Sequence, residues 1–196
     1  MGIRGSLWEF KRSYKTQYSW PKLNLSCSGP KLKIDDLERL PFDISDEHAA
    51  FLLWKNGGEP ENTWYTRKGQ SLQIRWFYGI GSEHDLRDAI LEHRDILPRF
   101  SVPVARVESY DHDVSLLLTF PFDGRKGFRE PTKGREKKIW FHSIFEDNLP
   151  EDSKLDDVVL AAHSLTALTN ALKPEPPNKY KRFDGCDDSG DDEDFD

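Results

Sequence analysis

Between Ser45 and Pro60 the chain carries a full set of helix start and stop signals, and this is its best-defined boundary. Ser45 is a good N-cap, since a hydroxyl there can accept from an orphan backbone N–H of the first turn. Asp46 and Glu47 follow, placing negative charge at the positive end of the helix macrodipole. Ala50, Phe51 and Trp54 fall on one stripe at helical spacing. Asn56-Gly57-Gly58 then stops the helix, because glycine accepts the left-handed conformation that closes a helix end and asparagine is next best. Pro60 prevents it from resuming. A helix this short cannot bury a core alone, so the order of the remaining elements decides the fold.

Upstream, Ile34, Leu37 and Leu40 suggest a short helix over 32–40, ended by Pro41. Downstream, Leu72, Ile74, Trp76 and Tyr78 alternate with Gln73, Arg75 and Phe77, which predicts a strand over 72–80 with one mostly apolar face. Ser82 with Asp85 three residues on resembles a capping box opening a helix to about Leu97, with Pro98 as its stop. Strands are expected over 101–108, 114–120 and 138–142. Few polar residues interrupt 114–120, which places it centrally in its sheet. Gly124 to Glu136 reads as an exposed loop. Leu155, Val158, Val159, Ala162, Leu165, Leu168 and Leu172 share a helical stripe, so the final element is expected to be one long helix over 155–172. This order lacks a regular β–α alternation. It predicts a single α+β domain, with a mixed, mainly antiparallel sheet and helices packed around it.

In the 196 residues, apolar side chains make up 36% and charged ones 32%. Part of the chain is therefore expected to lie outside the core, although six Trp and twelve Phe supply large buried areas. Residues 1–30 mix Trp8, Phe10, Tyr14, Tyr18 and Trp20 with basic residues without a clean period, and read as an irregular extension. Residues 31–173 form the domain. Residues 174–196 begin with Pro174, Pro176 and Pro177 and end in eight acids from Asp184 to Asp196 with no base, a composition too polar to fold. That tail accounts for the net charge of −7 and leaves the body near neutral. No apolar run approaches the roughly 20 residues of a membrane span, and no secretory signal opens the chain. Cys27 and Cys186 lie far apart in unrelated contexts and read as free thiols in a reducing compartment. The expected address is the cytoplasm.

Ala50-Phe51-Leu52-Leu53-Trp54-Lys55-Asn56-Gly57-Gly58-Glu59-Pro60 resembles the signature helix and turn of the SUKH superfamily, which includes fungal regulators of cell-wall glucan synthesis and bacterial toxin-immunity proteins. Leu37 to Ile44 is similar to the helix and connector before that signature. Val102-Pro103-Val104-Ala105 with 114–120 resembles the family's paired strands, Lys138 to Phe141 its short aromatic strand, and Ala162 to Leu172 its closing helix. The likeness spans about residues 34 to 173, in the family's order. The chain departs from the pattern at Ile44-Ser45, where Leu-Pro is usual, and at His48, where an aromatic is. The resemblance implies a binding module, most often an antidote to a toxin, and transfers no binding residues one by one.

The side chains point away from catalysis. None of the six His stands four residues from another, so no helical metal pair exists, and neither metal nor cofactor is expected. Asp111-His112-Asp113 has the residues of a base with its orienting carboxylates, but it falls in a hairpin turn where such residues are ordinary. Neither cysteine neighbours a group that would activate its thiol. Gly79-Ile80-Gly81 lacks the spacing of a nucleotide fingerprint, and Asn56, Gly57 and Gly58 are a structural signature. The candidate partner-binding set is acidic: Asp187, Asp188, Asp191, Asp192, Glu193 and Asp194. A nuclease toxin neutralises phosphates with Lys and Arg, and an acidic segment competes for that surface. The expected function is a non-catalytic immunity protein that binds a basic toxin. The alternative is a regulatory scaffold with several weaker partners. Neither a membrane nor direct nucleic-acid binding is expected.

Overall fold

The computed structural model describes residues 18–67, 70–98, 100–108, 114–120, 138–144, 158–174 and 181–182. In chain order the elements are β1 (Leu25–Ser26), α1 (Ile34–Glu38), α2 (Asp46–Trp54), β2 (Glu59–Pro60), β3 (Trp64–Arg67), β4 (Gln70–Phe77) and α3 (Leu86–Glu92). They continue as β5 (Val102–Val107), β6 (Val114–Thr119), β7 (Ile139–Ile144), β8 (Val158–Ala162), α4 (Leu165–Asn170) and β9 (Lys181–Arg182). Six strands run in the order β3-β4-β5-β6-β7-β8, each antiparallel to its neighbours. β9 adds to β4 in parallel, and β1 and β2 form a separate two-stranded ribbon. The α+β domain expected from the sequence is what forms.

β6 lies in the middle for the reason its composition predicts. Leu116, Leu117 and Leu118 are all fully buried, Leu117 in one apolar cluster and its two neighbours in another. Successive strand residues face opposite ways, so both faces of this strand must be covered. One cluster gathers Phe51, Ile74, Phe77, Val104, Leu117, Ile139, Leu165 and Leu168 from α2, the strands and α4. The other packs α3, through Leu86 and Ala89, on Val102, Leu116 and Leu118. Each such large side chain contributes about 1.5–3 kcal/mol by leaving water.

The sheet curls until its end strands face each other, and side chains close the gap. The Tyr65 hydroxyl donates to Ala161 O at 2.9 Å, and the Arg67 guanidinium donates to Leu160 O and, at 3.3 Å, to Ala161 O. Trp64 and Lys173 exchange backbone hydrogen bonds at 3.0 and 2.8 Å. The result is nearly a barrel.

Five sequence expectations need correction. Where the expected helix over 155–172 falls on described residues, from Val158 on, the chain is instead β8 followed by α4. Val158 and Val159 suit an extended chain, β7 supplies a ladder for it, and Ser164 starts the helix by accepting from Ala167 N–H at 2.9 Å. α3 is capped by Asp85, which accepts from Arg87 N–H at 2.7 Å, not by Ser82, and it ends at Glu92 with turns following. The alternation over 72–80 breaks at an irregularity in the β4–β5 register between Ile74 and Trp76. Beyond it Phe77 joins the cluster of Leu72 and Ile74, while Trp76 and Tyr78 join the other. The packed body begins before residue 31, since Trp20 and Leu23 are 3% and 4% exposed and β1 pairs with β2. Within 174–196, Lys181 and Arg182 pair with Gln70 and Ser71 as a strand. The loop over 124–136, Asp111-His112-Asp113, Cys186 and the acidic partner-binding set lie outside the described residues. Among the described residues no helix is long and apolar enough to cross a membrane.

Candidate functional site

The Asn56-Gly57-Gly58 signature is a clamp between distant segments. Asn56 is 3% exposed, and its amide donates to Pro30 O at 2.9 Å and Ile80 O at 2.6 Å while accepting from Ile80 N–H at 2.7 Å. Its backbone carbonyl accepts from Gly29 N–H at 2.8 Å. Gly58 has φ +121°, and any Cβ there would collide with Ser26 O. Only glycine lets the chain turn there and lie directly on β1.

The clamp sets the end of α2 beside residues 18–25, which cross the outside of that helix as a strap. Trp20 meets Phe51 edge-on at 5.5 Å between ring centroids and Trp54 at 5.3 Å, and Tyr18 stacks on Trp20 at 6.3 Å. Phe51 in turn rests on Phe77 of β4 at 5.2 Å, so the aromatic group stands on the core. Between strap and helix end lies a cleft of about 390 Å³, lined by Tyr18, Trp20, Pro21, Leu23, Trp54 and Lys55 among others. Trp54 is 40% exposed here. Burial raises the pKa of the Tyr18 phenol, with the Asp46 and Glu47 carboxylates adding to the effect. The Trp20 indole N–H has no acceptor among the described residues.

The start of α2 braces α4. Glu47 is 6% exposed, and its carboxylate accepts from Leu165 N–H at 2.8 Å, Thr166 N–H at 2.9 Å and the Thr166 hydroxyl at 2.6 Å. A carboxylate suits a helix N-terminus, where N–H groups lack partners inside the helix. Next to it His48 is fully buried, and neither ring nitrogen has a hydrogen-bond partner among the described residues. Burial pulls its pKa down to about 4, so the ring is neutral.

The other described histidines are dispersed. His84 stacks on Trp76 at 4.1 Å, and its Nε2 lies 3.8 Å from Glu59. His93 is buried, which lowers its pKa, and the His142 Nε2 meets Ile96 O at 3.0 Å. Cys27 is free and exposed. No group of three metal-ligating side chains occurs among the described residues. Sequence reading placed Trp54 on the buried stripe of α2 and missed the cleft. The available signal was the aromatic density of the first 20 residues, without any indication of which helix they meet.

Fold and site together define a single-domain α+β protein with an aromatic cleft at its surface. Comparison with protein-family models, with curated proteins and with solved structures finds no match to this chain.

Proposed function

We propose that the chain is a non-catalytic docking protein of the immunity type, which grips a basic, nuclease-type toxin through the cleft between the strap and α2. The observation that carries this reading is Trp54, 40% exposed and held from below by Trp20 and Phe51. A half-exposed tryptophan on a rigid aromatic base offers large contact area with little side-chain entropy left to lose, which is the make-up of an interface anchor. The eight carboxylates between Asp184 and Asp196 add long-range attraction for a basic partner. The resemblance to the SUKH signature motivates the antidote role.

The test is co-expression with the toxins encoded beside the chain's own gene, scored by growth rescue and by the affinity of the purified pair. One tight complex is expected, and Trp54→Ala will weaken it by about 30-fold, equivalent to about 2 kcal/mol. A neighbouring product that neither binds nor is neutralised, or an affinity untouched by Trp54→Ala, refutes the reading. Several weak complexes would point to the scaffold alternative.

A further inference from the structure

Basic side chains at the cleft favour an occupant that carries negative charge. Lys55 lines it, and Lys22 is exposed on the strap beside it. Trp54 and half-buried Tyr18 add apolar contact for a ring.

This chain holds a segment of that chemistry. Residues 183–196 contain eight acids and no base, with Phe183 and Phe195 near the two ends. The covalent path reaches. β9 fixes Arg182 opposite Ser71 near the start of β4, and Phe77 at the other end of β4 packs on Phe51, the ring that Trp20 covers. From Ser71 to Phe77 the strand covers about 20 Å. The segment after Arg182 can extend about 46 Å. A tether of this length gives an effective concentration of order mM, so even a weak affinity fills the site.

We propose that residues 183–196 occupy the Trp54 cleft of their own domain and leave it when a basic partner captures their carboxylates. This rests on the cleft being a docking site, and adds an internal competitor for it.

The experiment uses the full chain with Cys27→Ser and a nitroxide on Cys186, read by the NMR signals of the tryptophan indole N–H groups. The Trp20 and Trp54 signals are expected to lose more than half their intensity while those of Trp76 and Trp140 keep theirs. Intensity will return at about 1 M NaCl, where the Debye length is about 3 Å, and on adding polylysine. It will also return when Asp191→Asn, Asp192→Asn, Glu193→Gln and Asp194→Asn are combined. Broadening that is absent, uniform over all the tryptophans, centred on Trp76 or Trp140, or indifferent to these changes overturns the proposal. So does broadening that appears only between a spin-labelled molecule and an isotope-labelled one. If the broadening fails while Trp54→Ala still weakens the toxin complex, the tail proposal falls and the docking reading stands.

Discussion

Mild acid will destabilise this domain through His48 more than through any exposed histidine. The ring is fully buried, both nitrogens lack partners among the described residues, and burial lowers its pKa to about 4 from 6.5 for an unperturbed histidine. The unfolded chain therefore takes up the proton first. The stability contributed by keeping the ring neutral is complete above pH 6.5 and is lost as pH falls from 6.5 toward 4. Across that whole interval the difference amounts to about 3 kcal/mol, of which about 2 kcal/mol is gone at pH 5. The assay is urea unfolding at pH 7 and pH 5, followed by tryptophan fluorescence, for the wild type, His48→Phe and His48→Leu. With a slope of about 2 kcal/mol/M, the wild-type midpoint will fall about 1 M further than that of either variant. His93, also held below its usual pKa by burial, titrates in all three proteins and cancels in the comparison. At pH 7 at least one variant will match or exceed the wild type, since an apolar group of similar shape leaves no nitrogen unpaired. Parallel losses in wild type and variants between pH 7 and pH 5 would refute the reasoning.

Glu47→Ala removes a carboxylate that accepts from two backbone N–H groups and a hydroxyl, and will cost about 2–3 kcal/mol in urea unfolding, with Glu47→Gln costing less. Gly58→Ala forces a side chain into φ +121° and against Ser26 O, and will cost at least about 2 kcal/mol in thermal unfolding. Tyr65→Phe removes the hydrogen bond to Ala161 O while keeping the ring; its stability loss will be about 1 kcal/mol, and amide exchange will rise in β8 before β6.

What the sequence revealed depended on whether each residue's surroundings were local. The Ser45 cap and the stop before Asn56-Gly57-Gly58 are settled within a few residues and formed as read, whereas Trp54 of the expected apolar stripe is 40% exposed. The run of leucines in β6 gave away its central place because both faces needed cover. The stripe from Leu155 to Leu172 fits helical spacing on paper. Yet the β7 edge offered Val158 to Ala162 a ladder, and tertiary pairing overrode local pattern. The change of face in β4 comes from its register against β5, a fact held by neither strand alone. The cleft was hidden for the same reason, since Tyr18 and Trp20 meet Trp54 across more than thirty residues of chain.

The join between β3 and β8 carries a consequence for how this wall of strands can evolve and breathe. A backbone ladder is indifferent to which residues build it, whereas a latch made of one phenol and one guanidinium is written in two codons. Strength along that line can be raised or lowered by single substitutions without touching any strand's own pairing. The seam between these two end strands thus rests on Tyr65 and Arg67, while every other join along the six-strand path is a backbone ladder.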